Sequence, residues 1–315
     1  MMDLIGLGSA IVDFAPTSLG APLSRVRGFI PYAGGAVANL LVAASRLGLK
    51  TGFLGCLGDD EFGVFVLRDF ESEGVDISCV KRVRDIATGI AFYNVDKRGE
   101  RHYVFYRFPG YSDPESMLEP GDIDAEYISR SRAIHFSEAL LRNPSSRQAV
   151  FRALEIAGEH RLTVSYDPNV RPTLWNSPEE FSDVQESALR FVDVFLSTRD
   201  EAMLLTGARS TDGAIERIME LHPSIVMLRQ GECYRVVTTD SEFQIPIFKV
   251  KAVDTSGAGD AFDAGFLTGL LKGWSLERAV RLGASVAALK VMKAGTRRGL
   301  PRMEEALRFI EGGST

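Results

Sequence analysis

Short apolar runs alternate with amphipathic stretches along most of the chain. Residues 4–7, 51–57, 134–136, 162–166, 192–196 and 225–228 are runs rich in Leu, Ile, Val and Phe. They have strand length and little polar alternation, as in strands buried on both faces. Residues 34–47, 59–73, 145–160 and 178–190 repeat their apolar positions at helical spacing, and Gly48 is a natural C-cap for the first of them. The C-terminal part reads as helix throughout, over 257–272, 276–292 and 302–310. Strand and helix alternating in this way predict an α/β fold: a doubly wound, mostly parallel sheet flanked by helices. The chain shows no internal repeat, low-complexity tract or linker.

Two stretches break the rhythm. Residues 14–31 lack helical periodicity. Residues 88–96 and 101–108 are rich in Phe, Tyr and Val and flank Lys97-Arg98-Gly99-Glu100, which is a hairpin signal. The expectation is a small β-sheet lid inserted in two pieces, 14–31 and 88–108. The core is then 1–13, 32–87 and 109–315.

The densest candidate chemistry is Asp254-Thr255-Ser256-Gly257-Ala258-Gly259-Asp260, which opens the helix of residues 257–272. Gly257, Ala258 and Gly259 let backbone N–H groups approach an anion closely. The helix start adds unpaired donors and the positive end of the dipole. Asp260 in that first turn can take a proton from a hydroxyl beside the anion, which is the equipment of phosphoryl transfer to an alcohol. The plainer reading is an acidic first turn capped by Ser256.

Gly34-Gly35-Ala36-Val37-Ala38-Asn39 is a second glycine-opened helix, with Asn39 one turn inside. It can hold a hydroxylated ligand, or Asn39 can simply bond a neighbouring loop. Asp13, read as the end of the first strand, can accept two sugar hydroxyls or close its own turn. Asp167-Pro168-Asn169-Val170-Arg171-Pro172 follows a strand, and Arg171 can face an anionic group; turn chemistry explains the rest. Arg107 stands at the end of the proposed lid hairpin, where it binds substrate oxygens or is simply solvated. Thr198-Arg199-Asp200-Glu201 opens a helix: Glu201 can hold Mg²⁺ through water, and the four residues also form a capping box. Arg229, ending a later strand just before Gly231, can meet nucleotide phosphates.

Other classes are excluded by what is missing. Gly6-Leu7-Gly8-Ser9-Ala10-Ile11 lacks the last small residue of a dinucleotide fingerprint, and no G-x-x-x-x-G-K-[ST] occurs. The protein-kinase motif set is absent. A net charge of −6 argues against general nucleic-acid binding. Cys56, Cys79 and Cys233 form no C-x-x-C pair, and the four histidines form no ligand pattern. With no apolar span of membrane length and no signal-type N-terminus, the expected location is the cytoplasm.

The two glycine motifs, in this order and far apart, resemble the N- and C-terminal signatures of the ribokinase-like (PfkB) carbohydrate kinases. The resemblance covers nearly all 315 residues. It implies a ribokinase-like core with a β-lid, and ATP-dependent phosphorylation of a sugar hydroxyl. It implies Asp260 as the base and Gly257, Ala258 and Gly259 as the anion hole. Asp13, Gly34, Gly35 and Asn39 then hold the sugar, with Arg107 and Arg171 near it. Thr198, Arg229 and Gly231 fall on the nucleotide side. Glu201 matches the Glu of the family's Asn-x-x-Glu magnesium motif, with Thr198 in place of its Asn. Asp254 and Thr255 match the segment that supports K⁺ in many members. Cys233-Tyr234 stand where a glycine is usual. Lids that pair across a two-fold axis in relatives imply a homodimer. Within the family, Phe105-Tyr106-Arg107-Phe108-Pro109 and His135-Phe136-Ser137-Glu138-Ala139-Leu140, with Arg147, look like fructokinases. The 167–175 segment is shared with 2-keto-3-deoxygluconate kinases, so fructose comes first and that keto acid second. A nucleoside kinase and a non-catalytic sugar or nucleotide sensor are the remaining readings.

Overall fold

The computed structural model describes residues 1–18, 20–95, 101–106 and 114–312. Its contacts divide the chain into two compact units. Unit one is Met1–Leu7 with Glu119–Ile247, and unit two is Gly8–Leu118 with Phe248–Thr315.

Unit one is built on a sheet. Its strands lie in the order Glu242–Pro246, Cys233–Thr238, Ile225–Arg229, Val194–Thr198, Thr163–Tyr166, Ser131–Phe136, Met2–Leu7. The last five pair in parallel, with Leu4 opposite Ala133 and Phe195 opposite Val226. The first two join antiparallel. The parallel strands carry consecutive buried residues, such as Leu4, Ile5 and Leu7 or Val226, Met227 and Leu228. That is the burial expected when both faces are covered. Helices Pro144–Glu159, Pro178–Leu189, Arg199–Thr206 and Thr211–Met219 supply the cover. Sequence reading missed the antiparallel pair. Its strands, such as Glu242–Pro246, expose alternate residues and contain no apolar run.

Unit two contains strand Thr51–Gly58, parallel to the short strands Val75–Asp76 and Val80–Val83. It also holds a separate four-stranded sheet in the order Phe29–Gly34, Ile11–Pro16, Ile90–Val95, Arg101–Phe105. Asp13 therefore sits in the middle of the second strand, opposite Tyr32, rather than at the end of the first. The reason is a break at Gly8, where an added Cβ would lie 2.4 Å from Val37 Cγ2. Glycine lets the chain turn against helix Ala36–Arg46 and change sheets. The Lys97-Arg98-Gly99-Glu100 turn and Arg107 lie outside the described residues.

The helical part of unit two packs through glycine. Helices Ala258–Leu271 and Leu276–Val291 approach so closely that a Cβ on Gly265 would lie 2.7 Å from Gly283 Cα. Every residue from Ala261 to Gly269 is buried, including Phe262 and Phe266. A helix that is apolar all round is an interior helix. Among the described residues, no helix is long and apolar enough to cross a membrane.

Candidate active site

Two helix starts meet in unit two. Helix Ala258–Leu271 begins at Gly257, whose φ of 69° is left-handed, and no side chain caps it. Ser256, the sequence candidate for that cap, has its Oγ buried without a hydrogen-bond partner among the described residues. Any other residue at Gly257 would bear strain, and its Cβ would lie 3.3 Å from Thr296 O. The Ala258 N–H turns back to Thr255 O at 3.2 Å. Gly259 brings no side chain to the first turn, and Asp260 is that turn's acidic residue.

Helix Ala36–Arg46 begins at Gly35, with φ of 103° and again no side-chain cap. A Cβ on Gly35 would lie 2.2 Å from Ser9 O, and one on Gly34 would lie 2.3 Å from Asp13 Oδ2. The buried Asp13 carboxylate is thus set directly against the Gly34 backbone. One turn inside the helix, Asn39 Nδ2 donates to Asp260 Oδ2 at 2.8 Å. The two glycine motifs that sequence reading singled out are joined by this bond.

Arg297 carries no local motif that would have marked it. This buried arginine donates from Nε to Asn39 Oδ1 at 2.9 Å and from Nη1 to Asp69. The Asn39 amide is therefore fixed in orientation, its carbonyl toward Arg297 and its NH₂ toward Asp260. Burial pulls the Arg297 guanidinium down to about 9, against the raising pull of Asp13, so it stays charged at neutral pH. Arg46 holds the backbone here through Nη1 bonds of 2.9 Å to Arg297 O and Leu300 O, while pairing with Glu73. Asn39, expected to reach a sugar, has its amide engaged within the protein at both ends.

Beside this turn, Asp254 accepts from Ser256 N at 3.0 Å and from Gly295 N at 2.7 Å. The Lys290 ammonium, 0% exposed, donates to Asp254 O at 2.7 Å and lies 3.8 Å from Asp254 Oδ1. Asp254, one of the two residues offered to K⁺ by sequence resemblance, thus already faces a cation of this chain. The donor set does not fit an added potassium ion.

In unit one, Thr198 and Glu201 form the expected capping box on helix Arg199–Thr206. Glu201 Oε2 accepts from Thr198 Oγ1 at 2.7 Å, and Oε1 accepts from Val170 N at 2.9 Å. Oε2 also accepts from Thr198 N at 3.1 Å, whereas Oε1 keeps lone-pair capacity for a water, so the residue fits an indirect hold on Mg²⁺ through Oε1. Among the described residues, no group of three or more His, Cys, Asp or Glu could hold a metal directly.

Arg229 forms an ion pair with Asp167 at 2.8 Å. The buried His135 beside them bonds Ser165 Oγ at 2.9 Å, and burial pulls its imidazole down to about 4. Arg171 curls onto the carbonyls of Asn169 and Val170. Gly231 takes a left-handed φ of 82° just after the Arg229 strand. A further buried carboxylate, Glu138, accepts from Arg171 N and Trp175 Nε1, and burial raises its pKa.

Comparison with known proteins gives the family and the fold. The profile of the pfkB family carbohydrate kinases matches residues 1–303. The chain is 31% identical to a 5-dehydro-2-deoxygluconokinase of Clostridium tetani, over 98% of this chain and 93% of that one. It is 33% identical to the Arabidopsis thaliana protein named "Probable fructokinase-2", over 98% and 95%. The crystal structure of a Xylella fastidiosa fructokinase with bound ATP superposes with a TM-score of 0.88 at 26% identity, covering all of both chains. The fold is ribokinase-like, with its mostly parallel sheet, helices and separate small sheet, and the chain belongs to the pfkB family of carbohydrate kinases.

Proposed function

We propose that the chain transfers the γ-phosphoryl group of ATP to a primary hydroxyl of a six-carbon keto sugar, with fructose as first substrate. The observation that carries this reading is the Asp260 carboxylate, held by Asn39 in the first turn of a helix that starts at a left-handed glycine. The sugar hydroxyl gives its proton to Asp260 as its oxygen bonds to the γ-phosphorus. The bond from that phosphorus to the bridging oxygen breaks, and ADP leaves. The amides of Gly257 and Gly259 and the positive helix end stabilise charge on the group in transfer. Asp13, Gly34 and Gly35 form the sugar side, and Asn39 acts through Asp260. Thr198, Arg229 and Gly231 belong to the nucleotide side in this reading. Mg²⁺, when bound with the nucleotide, neutralises phosphate charge, and Glu201 fits it through water.

In the same reading the small sheet is a lid that keeps water from the reacting phosphate. Its exposed Ile30, Val104 and Tyr106 offer an apolar surface for a second copy of the chain. Sedimentation of the protein tests that assembly, and a monomer at micromolar concentration would remove it from the proposal.

A second reading is favoured by the relatives named 5-dehydro-2-deoxygluconokinase. A keto acid needs a cation for its carboxylate. The exposed Arg298, set 5.5 Å from the Tyr32 ring centre, offers one in unit two. The deciding experiment is an ADP-release screen with fructose, 5-dehydro-2-deoxygluconate, 2-keto-3-deoxygluconate, ribose and nucleosides. Fructose is expected to give the highest kcat/KM. A keto acid in first place, with activity lost in Arg298→Ala, establishes the second reading. Preference for a nucleoside, or ligand binding with no ADP from any acceptor, overturns both.

A further inference from the structure

Lys290 occupies the last turn of helix Leu276–Val291, yet it is 0% exposed. A lysine is almost never fully buried unless its charge is matched. Here the match is specific. Nζ donates to the carbonyl of Asp254 at 2.7 Å and lies 3.8 Å from that residue's Oδ1. The surrounding backbone closes the enclosure. Val253 N and Asp254 N both donate to Val291 O. Gly299 presses on the Lys290 backbone, where a Cβ would lie 2.3 Å from Lys290 O. The Asp254 carboxylate in turn ties Ser256 N and Gly295 N into the turn that leads to Gly257.

We propose that the Lys290 ammonium is a built-in monovalent cation, which holds the turn before Gly257 in shape and makes the enzyme independent of potassium. The inference rests on the kinase reading of the Asp260 turn. It departs from the K⁺ site implied for Asp254 and Thr255, because the Asp254 carbonyl is already bonded to Nζ and its Oδ1 lies beside that cation. Lys290 is a positioning residue: it acts on the backbone that aims the first-turn amides.

The experiment uses purified full-length protein, with KCl titrated against choline chloride at constant ionic strength. The wild-type enzyme is expected to show no K⁺ activation and no K⁺-specific change in Tm. Lys290→Ala is expected to lose roughly 10²-fold in kcat, the order seen when one stabilising donor is removed. KCl or NH₄Cl is expected to restore much of that loss and to raise the variant's Tm by a few degrees, because a bound cation stabilises the folded state. Lys290→Met, with its longer apolar side chain, fills more of the enclosure and is expected to lose activity without rescue.

Severalfold K⁺ activation of the wild type overturns the proposal. So does a folded Lys290→Ala whose loss neither K⁺ nor NH₄⁺ changes. If both variants fail to fold, the wild-type titration still decides. The two readings fail separately. Absence of ADP from every acceptor removes the kinase reading, whereas the Tm response of the alanine variant needs no turnover.

Discussion

Two helix starts in this protein place an acid at the same position and use it differently. In helix Arg199–Thr206 the N-cap is Thr198, and Glu201 folds back onto the Thr198 hydroxyl and N–H. In helix Ala258–Leu271 the N-cap is Gly257, which has no side chain to offer, and Asp260 reaches Asn39, 221 residues away in the chain. The first start is closed by its own residues. The second leaves its carboxylate positioned by another helix, with small residues around the amides. An acid in the first turn thus closes its own helix, as a latch, or is handed to another element according to what stands three residues before it.

Several substitutions break or sharpen that contrast, in order of expected effect. Asp260→Asn should lower kcat by ~10²–10⁴-fold, the usual worth of a positioned base, with sugar binding by calorimetry retained. A near-normal kcat would reduce Asp260 to a second latch. In unit one, pH replaces kinetics as the probe. His135, pulled to about 4 by burial, faces Asp167 and Arg229. Below pH 6.5 the unfolded chain binds a proton that the folded chain refuses until about 4. The stability from neutral His135 is complete above that window and lost as pH falls through it, on the order of 3 kcal/mol. Denaturant titrations should therefore show a shallower pH slope for His135→Asn, and an unchanged slope would contradict the assigned burial effect.

Glycine replacements give a smaller and finer test. Gly257→Ala and Gly207→Ala both force a side chain into left-handed backbone, with φ of 69° and 64°. Each should cost ~1–2 kcal/mol by thermal unfolding. Only Gly257→Ala should also reduce kcat, since Gly207 merely ends helix Arg199–Thr206. Equal activity in the pair would mean that the Gly257 turn is ordinary. Thr198→Ala comes last, with a cap loss of about 1 kcal/mol. If its kcat fell as far as that of Asp260→Asn, the division between latch and base would not stand.

The sequence made some of this legible because the signals were local. Apolar runs such as 225–228 marked buried strands, and paired glycines marked both helix starts. Asp13 was misplaced because Gly8-Ser9-Ala10-Ile11 continues an apolar segment, and only contact with Val37 shows the turn. Arg297 was missed because its partner Asn39 is 258 residues away. Lys290 was hidden for another reason. A lysine in the last turn of a helix suits the dipole and looks like ordinary surface chemistry. Its true neighbour, Asp254, lies 36 residues earlier. Ser256 misled in the opposite direction: it had the chemistry of a cap, but Gly257 took the position.

The contact between Gly265 and Gly283 has a mechanical consequence. One of the two helices carries Asp260 at its head, three residues after its N-cap Gly257, and the other carries Lys290 near its tail. A single methyl group inserted at that crossing would act as a wedge, prising the two rods apart. The turn that holds Asp260 can thus be disturbed from a crossing in the middle of the helix pair.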